Sequence, residues 1–262
     1  MYTEITTVTS ADGTSIAYDR VGHGPALLVI GAGPVDRSVN APLAQLLGAE
    51  FTVYNYDRRG RGGSGDTAPY DVSREFEDIQ AVIDVAGGSA HIFGTSGGGA
   101  IALEAAARGM DVTRLVVWEP PYIVAGTRPP APPDYRQQLI DLLAENRRGD
   151  MVGLFFTVAG LPAEFIAQMR QSPFWPDMEK IAHALVYDAT MIGDFSVPTA
   201  RLAAVDTVPT MVIDGGTTPW VTAGADAVAA AVSGAHRRTL TGQPHNVDPA
   251  AIAPAIAEFL TT

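Results

Sequence analysis

The motif G-T-S-G-G at residues 94–98 constrains this chain more than any other segment. It follows a short apolar run at 90–93, which predicts a buried strand, and precedes small residues at 99–108, which predict a helix. A strand that turns directly into a helix holds the serine between them on a strained turn, with its hydroxyl out of the sheet. Such a turn has no room for side chains two residues before and two residues after the serine, and glycine stands at both positions. Ser96 is therefore a candidate nucleophile.

Two further motifs follow predicted strands upstream of this serine. The apolar run at 26–30 ends in G-A-G-P at 31–34, and the run at 51–56 ends in D-R-R-G-R-G-G-S at 57–64. In kind and in order, the three motifs resemble those of the α/β-hydrolase superfamily. Its members carry an H-G-x-P-like loop after the third strand, D-x-R-G-x-G-x-S after the fourth and G-x-S-x-G after the fifth. The resemblance spans nearly the whole chain. It implies an eight-stranded, mostly parallel sheet flanked by helices.

The order of the predicted elements favours the same α/β class. Runs at 3–9 and 14–21 predict an antiparallel hairpin, and strands then alternate with helices, which is typical of a mostly parallel sheet covered on both faces. The alternation stops at 121–198, where a proline-rich entry leads into several amphipathic helical pieces. We predict that this insertion resembles the helical cap of many α/β-hydrolases. Residues 1–120 and 199–262 then form the core.

The charge balance and composition exclude several kinds of partner and cofactor. With 17 basic and 29 acidic residues the net charge is −12, which repels phosphate backbones and anionic lipid, so we expect neither nucleic acid nor a membrane as partner. The chain has no cysteine, no P-loop lysine and no H-x-x-E-H spacing, so we expect no cofactor and no metal. No secretory signal is evident at 1–10, and we expect a cytoplasmic protein. The oligomeric state, monomer or homodimer, stays open.

A serine nucleophile needs a base within hydrogen-bond reach, because its hydroxyl is weakly nucleophilic at neutral pH. His245 lies between the last predicted strand and the last predicted helix. That loop is where the resembled fold carries its catalytic histidine, so the resemblance implies His245 as the base. The other four histidines are expected to have structural roles: His23, His91, His183 and His236.

The acid of the triad has two candidate positions. The usual position in the superfamily follows the strand at 209–213, but alignment on its glycine places Thr218 there, and threonine carries no negative charge. Asp214 stands a few residues earlier and is kept as the alternative. Glu119 ends the preceding strand, and neighbouring parallel strands bring their carboxyl ends together, so it can reach the same histidine. This layout is similar to that of haloalkane dehalogenases and zearalenone-type lactonases with Glu at the strand end. We predict Glu119 as the acid.

The oxyanion of an acyl-transfer reaction needs backbone N–H donors. We predict the N–H of Gly97, directly after the serine, and that of Gly33, because Pro34 has none. Aromatic residues in and after the insertion are predicted to line an apolar substrate pocket: Phe174, Trp175, Tyr187 and Trp220.

Together these residues predict a cofactor-free serine hydrolase that cleaves a carboxylic ester or lactone of a small molecule through an acyl-enzyme. Dehalogenases and epoxide hydrolases of this superfamily use Asp at the elbow, so Ser96 argues against both. Carbon–carbon hydrolases, acyltransferases and perhydrolases keep serine and stay open. So does a non-catalytic member that binds a small ligand in the same pocket.

Overall fold

Eight strands form the central sheet in the computed structural model, which describes residues 5–262. The strands are β1 Thr6–Thr9, β2 Ser15–Gly22, β3 Ala26–Ile30, β4 Thr52–Tyr56, β5 Ala90–Thr95, β6 Val112–Trp118, β7 Thr210–Gly216 and β8 His236–Gln243. Their order is β1-β2-β4-β3-β5-β6-β7-β8; β1–β2 and β2–β4 pair antiparallel, and all other neighbours pair parallel. The predicted mostly parallel, eight-stranded sheet is confirmed. Thr3 and Glu4, which the predicted first strand included, lie outside the described residues.

Helices cover both faces of this sheet. They are α1 Ala41–Leu47, α2 Ser73–Val85, α3 Gly97–Ala107, α4 Tyr135–Ala144, α5 Arg148–Ala159, α6 Ala163–Met169, α7 Trp175–Lys180, α8 Ala184–Ile192, α9 Thr199–Leu202, α10 Pro219–Ala231 and α11 Pro249–Thr261, with a 3-10 turn at Arg37–Asn40. Within residues 5–262, none of the helices combines the length and apolar character needed to cross a membrane.

Because helices cover both faces of the sheet, a central strand such as β3 is apolar along its whole length. In β3, Leu28 and Ile30 belong to the core cluster that includes residues of α2, α3 and α10, whereas Leu27 and Val29 belong to the cluster that includes residues of α1 and α11. Successive side chains of a strand point to opposite faces, so a strand covered on both faces must be apolar throughout. All four residues are fully buried.

The segment between β6 and β7 contains helices α4–α8, which lie inside the predicted cap range of 121–198. These helices have a hydrophobic cluster of their own, to which Leu139, Met151, Trp175 and Leu185 contribute. Helix α8 also packs against α3 of the core. We call residues 121–198 the insertion.

Buried arginines of the motif at 57–64 join the insertion and the core. The Arg58 guanidinium forms ion pairs with Glu75 and Asp188, both at 2.6 Å, and Arg59 pairs with Asp78 at 2.7 Å. Asp188 belongs to α8, so Arg58 links the insertion to the core helix α2. Buried charges are tolerated only when they are paired, and these five side chains satisfy one another.

Candidate active site

Ser96 occupies the turn between β5 and α3 with φ of 54° and ψ of −126°. A non-glycine residue with positive φ costs about 1–3 kcal/mol and persists where the surrounding structure imposes it. The surroundings here are close: a Cβ on Gly94 would lie 2.5 Å from the carbonyl O of Gly98, and one on Gly98 would lie 2.1 Å from that of Ile30. The Ser96 N–H donates to the carbonyl O of Trp118 at 2.8 Å, which ties the turn to the end of β6.

The structure brings together the residues predicted as base and acid. Nδ1 of His245 lies 2.6 Å from Oε2 of Glu119, and the glutamate is 2% exposed. Its other oxygen, Oε1, accepts the N–H of Gly215 at 2.9 Å. Trp118 Nε1 donates to the carbonyl O of His245 at 2.8 Å. Both the ring and the backbone of this histidine are therefore held from the end of β6.

Asp214, the alternative acid, has other partners. Its carboxylate accepts from Thr239 Oγ1 at 2.7 Å and from the Gly216 N–H at 3.1 Å, and it lies 2.9 Å from the Arg237 guanidinium. Burial alone would raise the pKa of this carboxyl, but hydrogen bonds from Arg237, Thr222 and Thr239 outweigh it and hold the pKa below its usual value. Among the described residues, no hydrogen bond or ion pair joins Asp214 to His245. The residue is a buried structural ion.

Two cavities meet at the predicted nucleophile, and Ser96, His245, Phe155 and Phe156 line both of them. The inner chamber, of about 270 Å³, lies between the insertion and the sheet. The outer cleft, of about 610 Å³, runs beside α1 and the start of α11. In the part of the chain that the structure describes, no hydrogen bond joins the Ser96 hydroxyl to His245. Such bonds are often long in unliganded enzymes and tighten with substrate.

The two predicted oxyanion donors differ in their surroundings. Gly97 is the first residue of α3, where an N–H has no partner within the helix and the helix dipole favours negative charge. The Gly33 N–H, in contrast, donates to Oδ2 of Asp188 at 3.0 Å. This contact conflicts with the expected role of Gly33, because the amide is already taken.

The family profile described as "Alpha/beta hydrolase family" matches residues 23–255, which include Ser96, Glu119 and His245. The chain belongs to the alpha/beta hydrolase family. A solved alpha/beta hydrolase from Sphaerobacter thermophilus is 50% identical with a TM-score of 0.93, over 97% of this chain and 100% of that one.

More distant solved structures share the fold of this chain. An enol-lactonase from Burkholderia xenovorans is 22% identical with a TM-score of 0.73, over 98% of this chain and 100% of that one. An esterase from Exiguobacterium antarcticum is 20% identical with a TM-score of 0.78, over 99% and 100%. At these identities the likeness concerns the fold.

The aromatic residues that line the inner chamber differ from the predicted set. Trp220 lines the inner chamber, as predicted. The other three residues do not line it: Phe174 is 71% exposed, Trp175 packs in the hydrophobic cluster of the insertion, and Tyr187 stacks on Tyr70 at 4.0 Å. Helical periodicity places an aromatic residue on a face, but the packing of several short helices decides which faces meet the cavity. The aromatic wall is formed instead by Tyr135, Phe155, Phe156 and Phe195.

The four histidines other than His245 lie elsewhere. His91 bonds Thr113 at 2.7 Å, His183 lies 3.5 Å from Asp66, His236 packs on Phe259, and His23 is exposed. Among the described residues, no three His, Asp or Glu side chains are grouped to hold a metal ion.

Sequence reasoning missed Asp188, which reaches the site from α8. One signal was available, since this acid stands alone in the otherwise uncharged stretch A-L-V-Y-D-A-T-M-I. A single charge in a buried helix needs a partner, and such a residue is therefore a candidate for a role at the functional site. Its partners, however, are distant in sequence and could not be named without the fold.

Proposed function

We propose that this protein is a serine hydrolase that cleaves carboxylic esters or lactones through an acyl-enzyme. The observation that carries the proposal is the 2.6 Å contact between His245 Nδ1 and Glu119 Oε2, beside a cavity that Ser96 also lines. Membership of the alpha/beta hydrolase family supports the same reading.

The contact with Glu119 fixes which nitrogen of the imidazole acts as base. A carboxylate can only accept hydrogen bonds, so Nδ1 of His245 carries a hydrogen and Nε2 keeps its lone pair. Because Oε1 of Glu119 is held by the Gly215 N–H, the carboxylate cannot rotate away from the ring without losing that bond. The imidazole is therefore held in the tautomer that a general base requires.

The reaction follows from these positions. Nε2 of His245 takes the proton of the Ser96 hydroxyl as its oxygen adds to the substrate carbonyl, and the carbonyl oxygen becomes an oxyanion near the Gly97 N–H. The tetrahedral intermediate then expels the alcohol, or opens the lactone ring, as the protonated imidazole returns its proton to the leaving oxygen. Water, deprotonated by the same nitrogen, attacks the acyl-enzyme and releases the acid with Ser96 restored.

The two cavities suggest how an ester is placed. The inner chamber has a largely aromatic and aliphatic wall and suits an apolar acyl group. The outer cleft meets the surface beside Asn246 and Asp248 and suits the leaving alcohol. Phe155 and Phe156 line both cavities and therefore lie where the two parts of the substrate meet.

Labelling with a serine-directed phosphonate tests the proposal. The wild-type protein is expected to react with one equivalent at Ser96, identified by peptide mass spectrometry, and to hydrolyse p-nitrophenyl esters or lactones in a graded panel. Ser96→Ala should lose the label and lower kcat by about 10⁴-fold or more. A protein that stays unlabelled and inactive on the whole panel would instead be a ligand-binding member of the family.

A further inference from the structure

Both polar groups of Gly33 are held by a pair of buried side chains. Its N–H donates to Asp188 Oδ2 at 3.0 Å, and its carbonyl O accepts from Arg61 Nε at 3.2 Å. The two side chains also bind each other, since Arg61 donates to Asp188 Oδ1 at 2.8 Å. Gly33 has φ of 83°, a conformation that favours glycine. The loop at 31–34 is therefore clamped at one residue, from the insertion on one side and from the core on the other.

The Asp188 carboxylate stays ionised and accepts the hydrogen bond of the Gly33 N–H. Its Oδ1 receives hydrogen bonds from both Arg58 and Arg61, and the side chain is 8% exposed. Burial alone would raise its pKa, but the two guanidinium groups outweigh it and lower the pKa. Asp188 therefore remains charged and does not release the Gly33 amide by taking up a proton at neutral pH.

The clamp leaves a different amide of the same loop free. Pro34 has no N–H and the N–H of Gly33 is taken, whereas the N–H of Ala32 donates to no group among residues 5–262. Ala32 and Gly33 both line the two cavities with Ser96, but Ala32 is partly exposed whereas Gly33 is buried. Ala32 also touches the serine turn: a Cβ on Gly97 would lie 2.9 Å from the Cβ of Ala32.

We propose that Asp188 is a positioning residue of the oxyanion hole: by holding the Gly33 N–H it fixes the loop so that the Ala32 N–H serves as the second donor beside that of Gly97. This inference rests on the proposed function. Asp188 does not contact the substrate. It acts through Gly33 on the position of the Ala32 amide. Because a donor must meet the developing charge in a fixed geometry, a loosened loop should weaken transition-state binding more than substrate binding.

Asp188→Asn tests this role, with Asp66→Asn as the matched control. Asp66 accepts a hydrogen bond from Tyr187 at 2.6 Å, so it also ties α8 to the core, but it does not touch the 31–34 loop. For both variants, kcat and KM are measured with a p-nitrophenyl ester, per active site titrated with the phosphonate. The second measurement is the inhibition constant of a boronic acid, which forms a tetrahedral anionic adduct on a nucleophilic serine.

Asp188→Asn is expected to lower kcat per titrated site roughly 100-fold and to leave KM little changed. The inhibition constant of the boronic acid should rise in parallel with the loss of kcat. Asp66→Asn should leave all three values near those of the wild type. A purely structural role of Asp188 would lower the melting temperature and the fraction of titratable sites, but not kcat per site. That result would overturn the inference while leaving the proposed function intact.

Arg61→Lys provides a second variant if Asp188→Asn does not fold. Lysine keeps the positive charge near Asp188 but lacks the Nε–H that holds the Gly33 carbonyl, so the same loss of kcat and of boronic acid affinity is expected. A folded Arg61→Lys with wild-type values in both assays contradicts the clamp. A wild-type protein that neither reacts with the phosphonate nor hydrolyses the panel would remove the proposed function and this inference together.

Discussion

Trp118 Nε1 lies 2.8 Å from the carbonyl O of His245, although 127 positions separate the two residues. The next residue, Glu119, holds the imidazole of the same histidine. Two consecutive residues at the end of β6 thus fix the backbone and the ring of His245. Glu119 can do so because it has a positive φ of 45°, which departs from the extended strand before it.

Trp118→Phe should lower kcat about 10-fold with little change in KM, since it frees the backbone of His245 but keeps the ring contact with Glu119. The measurement is steady-state hydrolysis of a p-nitrophenyl ester. Trp175→Phe is the control: its indole donates to Glu179 within the insertion, so it should affect stability without affecting kcat. Equal effects of the two variants on kcat would show that the bond to His245 is not functional.

Glu119→Gln should lower kcat by roughly 10³–10⁴-fold, because an amide no longer requires the productive tautomer of His245. Asp214→Asn should keep most of the activity and lose roughly 1.5–3 kcal/mol of unfolding free energy, since a charged acceptor of several hydrogen bonds is removed. Activity assays and urea denaturation of both variants separate the two roles. If Asp214→Asn abolished turnover while Glu119→Gln did not, the acid would be misassigned.

Gly98→Ala should destabilise the fold by about 1–3 kcal/mol or more and abolish activity, because its Cβ would lie 2.1 Å from the carbonyl O of Ile30. The neighbouring main chains cannot yield without moving β3 or the serine turn. Gly65→Ala is the matched control, since the nearest atom to its Cβ lies at 3.5 Å. Thermal unfolding with ester hydrolysis checks both, and a Gly98→Ala protein as stable and active as the control would contradict the steric argument.

The free energy of unfolding should fall as the pH drops below about 4, and Asp214→Asn should show a smaller fall. The pKa of Asp214 is lowered in the folded protein, so the unfolded chain binds more protons in this range and acid favours unfolding. Burial raises the pKa of Asp57 and of Asp78, so the folded protein binds more protons at these two groups and acid raises their contribution to the free energy of unfolding. The test is therefore the difference between wild type and variant in urea titrations at pH 2–7; parallel curves would contradict the role of Asp214.

The serine turn and the mostly parallel sheet could be predicted because each depends on local or topological rules, whereas His245 was predicted as the base from the family resemblance. The glycines at 94 and 98 are required by contacts within one turn, and the apolar strands by burial on both faces. Both Glu119 and Asp214 stand at strand ends, and Glu119 was predicted ahead of Asp214 from the resemblance to relatives that carry Glu at the end of the preceding strand. Of the four aromatic residues predicted to line a substrate pocket, Trp220 alone lines the inner chamber, and it lies at the start of α10, directly after β7.

By itself the sequence determined the α/β fold, the position of Ser96 and the loop that carries His245, since sterics and periodicity act over a few residues. The tertiary structure alone decided which amide of the 31–34 loop is free and which aromatic rings meet the cavity. The Gly33–Asp188 contact spans 155 positions, and its geometry depends on how α8 packs on the core. Hydrogen bonds are short and directional, so a shift of one ångström in that packing changes which donor faces the substrate.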